Sequence, residues 1–158
     1  MNFIDSKTID VTALALDGLM KKHKAISVNI ANAEVAGYKR EDVSFEDQLN
    51  QILEKEYEQE SYKSINSKLP YMKNANPVDI QQMSAATKAK ALEARQAYGA
   101  FKPVISQDDS DLQSANGNTV NVEKEMVELA KNTTKYSVLS ESLAKKLQGL
   151  QEIIKGVV

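Results

Sequence analysis

Cysteine and tryptophan are both absent from the 158 residues, and there is a single histidine, His23. Disulfides, thiolate metal sites and cysteine nucleophiles are therefore excluded, a histidine-built metal centre cannot form, and a Ser–His–Asp triad would have to use that one imidazole. Six glycines and three prolines are too few for a sandwich of short strands joined by tight turns. No apolar run approaches the roughly 18–20 residues that span a bilayer. Neither charge sign dominates: 20 basic and 22 acidic residues leave a net charge of −2, which argues against nucleic acid as the main partner. Met1-Asn2-Phe3-Ile4-Asp5 lacks a basic n-region and an apolar h-region, so no ordinary cleaved export signal is expected.

What remains is a chain of one-domain size, 42% hydrophobic and 27% charged, with two strong helical patterns at its ends. Ile9, Leu16, His23 and Ile30 recur every seven residues, and Leu19, Ile26 and Ala33 form a second series three positions later. That spacing predicts a long helix from Ile9 to near Asn32, seeking a partner helix. Ser6, Thr8 or Asp10 could cap its start, and Gly37 follows its end. Near the other terminus, Val122, Leu129, Tyr136, Leu143, Leu150 and Val157 alternate with Met126, Thr133, Ser140, Leu147 and Ile154. Asn121 is a competent N-cap, Glu123 and Glu125 suit the positive end of the helix dipole, and Lys145, Lys146 and Lys155 suit the negative end.

The middle has a different composition. Gly37 to Phe45 reads as an extended connector anchored by Tyr38, Val43 and Phe45. Residues 46–60 are acidic and helix-prone, 61–77 are Ser-, Asn- and Lys-rich and read as loop, 79–101 read as an Ala-rich helix stopped by Pro103, and 106–119 read as polar loop. The expected fold is all-α dominated. Long N- and C-terminal helices pair as a coiled-coil-like bundle, with an extended connector and a third helix in the middle segment. The expected division is 1–33 with 115–158 as a terminal helical domain, and 34–114 as connector and middle segment.

Catalytic and ligand motifs fail one by one. Starting a calcium loop at Asp109 puts Ser114 where the EF-hand needs glycine and Val120 where it needs glutamate. His23 lies in a helical seam series between Lys22 and Lys24 without a matched nucleophile, and reads as a seam or interface histidine. Lys21-Lys22-His23-Lys24 reads as a solvated or ion-pairing face, for which the acids between 41 and 60 of a neighbouring subunit are candidate partners. Asn132-Thr133-Thr134 is a glycosylation triplet only formally, because it falls mid-helix. Gly-rich phosphate loops, nucleophile elbows and metalloprotease motifs are absent. Neither an enzyme nor a cofactor is expected.

One stretch is more specific. Asn29-Ile30-Ala31-Asn32-Ala33-Glu34-Val35-Ala36-Gly37-Tyr38-Lys39 resembles the N-terminal signature of the bacterial flagellar axial proteins, which build the rod, hook and related segments. Asn116-Gly117-Asn118-Thr119-Val120-Asn121-Val122 with Glu125-Met126, followed by Lys135-Tyr136, is similar to the pattern of the proximal rod member of that family. Val35-Ala36 stands where the family usually has Thr-Pro, and Asn116 and Asn121 stand where it usually has Asp. The resemblance covers residues 9–45 and 115–156, and the middle looks longer than usual for the family.

The resemblance implies a structural subunit of the proximal rod of the flagellar basal body, which assembles helically, transmits torque and continues the export channel. It further implies export through the flagellar type III apparatus to a periplasmic rod. The implied partners are other rod subunits, including further copies of the chain, the rod-base adaptor, and the inner-membrane ring and export gate. Asn29, Ile30, Asn32, Gly37, Tyr38, Asn118, Val120, Met126 and Tyr136 are the implied assembly and motif residues. Asn29 and Asn32 lie about one helical turn apart. Their amides are expected on backbone groups of the connector or of a neighbour. Gly37 is expected at positive φ, and Tyr38 is expected to pack the connector on the helix pair. A neighbouring small axial rod subunit and a soluble helical adaptor or chaperone are the alternatives.

Overall fold

A computed structural model describes residues 6–68, 77–108 and 115–156. Its elements in chain order are α1 (Ser6–Ala31), β1 (Arg40–Ser44), α2 (Glu46–Lys68), α3 (Pro77–Ala100), β2 (Val104–Asp108) and α4 (Val122–Lys155). The fold is dominantly helical, and its long terminal helices pack against each other. The chain divides into two compact units, one of Met1–Glu46 with Pro103–Val158 and one of Asp47–Lys102.

In the first unit α1 and α4 pair, and β1 lies on α1. β1 and β2 form an antiparallel ribbon running from Arg40 opposite Asp108 to Ser44 opposite Val104. A ribbon of two strands is marginal in water alone, and here Val43 anchors it in the core. The core consists of Ala15, Leu19, Ala25 and Ile26 of α1 with Val43 and Phe45 of the connector. The Phe45 ring lies directly on Gly18, where an added Cβ would come within 2.6 Å of the ring's Cγ.

Both terminal helices turn a face slightly different from the expected one. In α1, Leu19 and Ile26 are buried as their spacing predicts, but the companion series is Ala15 and Asn29, and His23 is exposed. His23 is thus not a seam residue in this chain. In α4 the series Leu129, Tyr136, Leu143 and Leu150 is partly covered, as expected. Its companions are the buried Glu125 and Asn132, whereas Met126 is 60% exposed, and Leu147 and Ile154 also face solvent. The pattern was sorted by hydrophobicity, whereas these two seam positions hold polar groups that are hydrogen-bonded inside the protein.

α4 starts as its sequence suggests. Asn121 Oδ1 accepts from the Lys124 N–H at 3.0 Å, Glu123 and Glu125 occupy the first turn and Lys155 the last. Two loop expectations need correction. Residues 61–68 continue α2, because Ser, Lys and Asn cost only about half a kcal/mol each relative to Ala once a helix is nucleated. Residues 106–108 belong to β2, whose pairing with β1 is a long-range contact invisible to local composition. Residues 115–119 are turn and irregular backbone as expected, whereas 69–76, including Pro70, and 109–114, including Asp109–Asp111, lie outside the described residues. Pro77 takes the first position of α3, where a missing N–H costs nothing.

The second unit contains α2 from Asp47 onward and α3. Ile52, Gln59 and Ala94 are its buried side chains among the described residues. Lys90 ties the helices by reaching Glu58 at 3.0 Å. At the base of the unit the Gln48 amide bonds both backbone groups of Lys102, accepting from its N–H at 2.9 Å and donating to its carbonyl at 3.0 Å. No helix among the described residues is long and apolar enough to cross a membrane.

Candidate functional site

The residues that carry the family resemblance converge where α1 ends, the connector begins and α4 starts. The irregular turn that follows α1 has carbonyls that no helix or sheet ladder satisfies. Here Asn118, only 1% exposed, supplies their donor. Its Nδ2 amide shares two hydrogens among the carbonyls of Asn32, Ala33 and Val35, at 2.9, 2.9 and 2.7 Å. The same side chain is aimed by its Oδ1, which accepts from the Val120 N–H at 2.8 Å, and its backbone N–H donates to Asn116 Oδ1 at 3.1 Å. One asparagine thus pins the turn after α1 from a segment more than 80 residues away.

Two glycines make this approach possible. Gly37 has φ 72° and Gly117 has φ 79°, a region that costs an L-residue roughly 1–2 kcal/mol. They face each other, and a Cβ on Gly117 would sit 3.7 Å from the Gly37 Cα. The Gly37 N–H donates to the Asn116 carbonyl at 2.9 Å, and the Thr119 N–H donates to the Tyr38 carbonyl at 3.1 Å. The Arg40 N–H then donates to Thr119 Oγ1 at 2.8 Å. The connector and the 116–120 segment are thereby stitched side by side before either reaches its next element.

A buried polar clamp closes the arrangement. Asn29 has no exposed surface, and its amide is fully used. Nδ2 donates to the Glu41 carbonyl at 2.7 Å and to Glu125 Oε2 at 3.1 Å. Oδ1 accepts from the Glu41 N–H at 2.9 Å and from the Tyr38 hydroxyl at 3.2 Å. Arg40 Nε donates to the other oxygen of Glu125 at 2.6 Å, and Glu125 is likewise fully buried. Burial, then the Glu41 and Glu125 carboxylates, push the Tyr38 phenol above its ordinary 10.0, so it stays a donor at neutral pH. Further along, Asn132 Nδ2 donates to the Leu19 carbonyl at 2.9 Å, a second polar tie between α1 and α4.

Of the residues singled out from the sequence, Asn29, Asn32, Gly37, Tyr38 and Asn118 come together here. Asn32 contributes differently from Asn29: its side chain bonds the Val28 carbonyl of its own helix, and its backbone carbonyl receives Asn118. Val120 joins through its N–H. Ile30 is half-buried, Tyr136 is half-buried farther along α4, and Met126 points to solvent. Sequence inspection missed Arg40, and it quoted Thr119 and Glu125 within the motif without giving either a role in the joint. The available signal was the seven-residue spacing of Glu125, Asn132 and Leu139, a stripe adjacent to the apolar one that contains two polar residues.

Nothing in this cluster is arranged for bond chemistry. The Asn29 amide, the Glu125 carboxylate and the Asn118 amide are all committed to partners inside the fold, which suits a structural joint. The comparisons agree with that character. No protein-family model matches the chain. The flagellar basal body rod protein FlgB of Bacillus subtilis (strain 168) is 32% identical over 151 residues, covering 96% of this chain and 95% of the relative. The chain belongs to the FlgB family of flagellar basal body rod proteins. FlgB of Buchnera aphidicola is 28% identical over 142 residues, 90% of each chain, and FlgB of Aeromonas hydrophila 27% over 152 residues, 95% of this chain and 94% of the relative. A FlgB protein is a structural component of the flagellar rod, and the polar clamp is a feature of how this one folds.

Proposed function

We propose that the chain is a non-catalytic subunit of the proximal rod, packing helically with copies of itself and with other rod components. In that role it transmits torque from the inner-membrane ring to the distal rod and lines the continuation of the export channel. The rod-base adaptor and the export gate are its neighbours at the proximal end. The subunit occupies the periplasmic part of the basal body and arrives by type III export.

The observation that carries this reading is the end-to-end similarity to FlgB of Bacillus subtilis. Two physical features support it. The unit built from both chain termini, Met1–Glu46 with Pro103–Val158, holds the resemblance motifs and the long helices, and is the proposed axial part. On α4, Met126, Val127, Val138, Leu147, Ile153 and Ile154 are exposed, which is costly in a lone subunit and useful in a wall of stacked helices. Contacts between unlike faces of neighbouring copies give open helical assemblies, not closed pairs.

The test is deletion of the gene followed by complementation, with swimming scored. Non-motile cells that regain swimming with the intact chain are expected. Cells that swim normally without it contradict the reading.

A further inference from the structure

Unit Asp47–Lys102 presents a face that its own core does not use. Ile52 and Gln59 of α2 point inward and are buried. Away from them Leu53, Glu54 and Tyr57, at i, i+1 and i+4, line an open groove whose edge is Glu58, held by Lys90 of α3 at 3.0 Å. Tyr57 is 75% exposed and Leu53 46%. The face is therefore apolar in its middle and acidic along one side.

The other unit carries the complement on α4. Val127, Lys131, Lys135 and Val138 follow one another at i, i+4, i+8 and i+11 on the side away from the Glu125–Leu129–Asn132 stripe that meets α1. Val127 is 53% and Val138 61% exposed. Lys131 holds Glu128 at 2.9 Å, and Lys135 and Lys22 also act on that carboxylate, so three ammonium groups surround one acid. The α4 face is apolar at its ends and basic between them.

We propose that the Leu53–Glu54–Tyr57–Glu58 face of α2 in one copy docks on the Lys131–Lys135 face of α4, flanked by Val127 and Val138, in a second copy of the same chain. This rests on the reading of the chain as a self-assembling rod subunit, and assigns the middle unit a bracing role in it. Tyr57 is the anchor: a large side chain with a polar tip and few rotatable bonds, the type enriched at the energetic centre of interfaces. Charge sets the partner and register, with Glu54 against Lys131 and Lys135. Because the two patches differ, each copy still offers a free donor and a free acceptor face, and the contact propagates.

Cysteine cross-linking tests the contact, since the chain has no cysteine of its own. A chain with Asn50→Cys, on the same side of α2 one turn before Glu54, and Val138→Cys is expressed in cells lacking the native copy and treated with a short bismaleimide. Both positions are exposed and Tyr57 is kept, so the substitutions spare the core and the anchor. The expected result is a ladder of dimers, trimers and higher multimers, with no ladder from either single variant. Adding Glu54→Lys should cut the ladder roughly tenfold or more, and Lys131→Glu with Lys135→Glu should restore it. A chain that restores swimming yet gives no ladder, or cross-links only to a different protein, overturns this contact and leaves the rod reading intact. Cells that swim without the chain overturn both.

Discussion

Arg40 Nε and Glu125 Oε1 meet at 2.6 Å, 85 residues apart in the chain, with both side chains almost wholly out of water. The pair joins the start of β1 to the first turn of α4, and Asn29 of α1 holds the second carboxylate oxygen. Three segments thus share one buried acid. Desolvating both charges offsets most of their attraction, so the pair is better understood as fixing register than as a large net gain. Removing one partner is another matter. Glu125→Ala leaves Arg40 buried without its acid and is expected to cost about 3–5 kcal/mol. Denaturant unfolding of the isolated chain should show it, and a loss below about 1 kcal/mol would mean that the clamp is not closed in solution.

Asn118 gives a sharper chemical test. Its Oδ1 accepts a bond and its Nδ2 donates to three carbonyls. Asn118→Asp keeps the shape and the accepting oxygen but turns an ionised oxygen toward those carbonyls. Asn118→Ala merely leaves them unsatisfied, at a cost of about 1–3 kcal/mol. The Asp variant should be the less stable of the two at neutral pH, by thermal melting. The opposite order would show that the amide does not hold the turn after α1.

Gly18 lies mid-helix, where Ala would ordinarily stabilise by about 1 kcal/mol. The Phe45 ring occupies the space a methyl would need. Gly18→Ala is therefore expected to lower the melting temperature, and Phe45→Leu in the same chain to recover part of the loss. A Gly18→Ala chain that melts higher than the parent would contradict the ring-on-glycine packing.

Gly37→Val tests the connector. No atom lies where the first side-chain carbon would go, so the cost comes from φ 72° alone, which a β-branched residue tolerates least. The variant should be expressed at near-normal level but fail to support a rod, because the turn that aims Tyr38 and Arg40 is lost. A rod of normal length with this variant would remove Gly37 from the account.

Acid should loosen the first unit. The Glu46 carboxyl is pushed up by burial, but the N–H groups of Glu46 and Phe45 and the Lys22 ammonium outweigh that and hold it below 4.5. Glu128 is also held below 4.5, chiefly by its bond from Lys131. With folded values under the unfolded ones, the unfolded chain binds more protons as pH falls. The stabilisation is complete above the unfolded value and is lost as pH drops through the folded ones. Unfolding midpoints measured from about pH 6 to pH 3 should decline, and Glu46→Gln should flatten the decline.

Much of the fold was legible in the sequence, for local reasons. Leu19 and Ile26, and Leu129, Tyr136 and Leu143, repeat at helical spacing, and the Asn121 cap with its two following acids marks the start of α4. The joint was legible only in part. Asn29, Gly37, Asn118 and Glu125 stood out by motif, but Arg40 is an ordinary charged residue, and its burial with Glu125 depends on chain segments brought together by the fold. The same holds for β2, which needs β1 as its partner, and for Gly18, which is explained only by Phe45. Hydrophobic periodicity also misplaced one stripe on each terminal helix, because Asn29, Glu125 and Asn132 occupy core positions while their hydrogen bonds do the work expected of apolar groups.

The most direct test of the central claim is electron cryotomography of basal bodies in cells lacking this gene. A bare inner-membrane ring with no rod is expected, and re-expression of the chain should restore the rod. An intact rod and hook in the deletion strain would contradict the assignment as a proximal rod subunit.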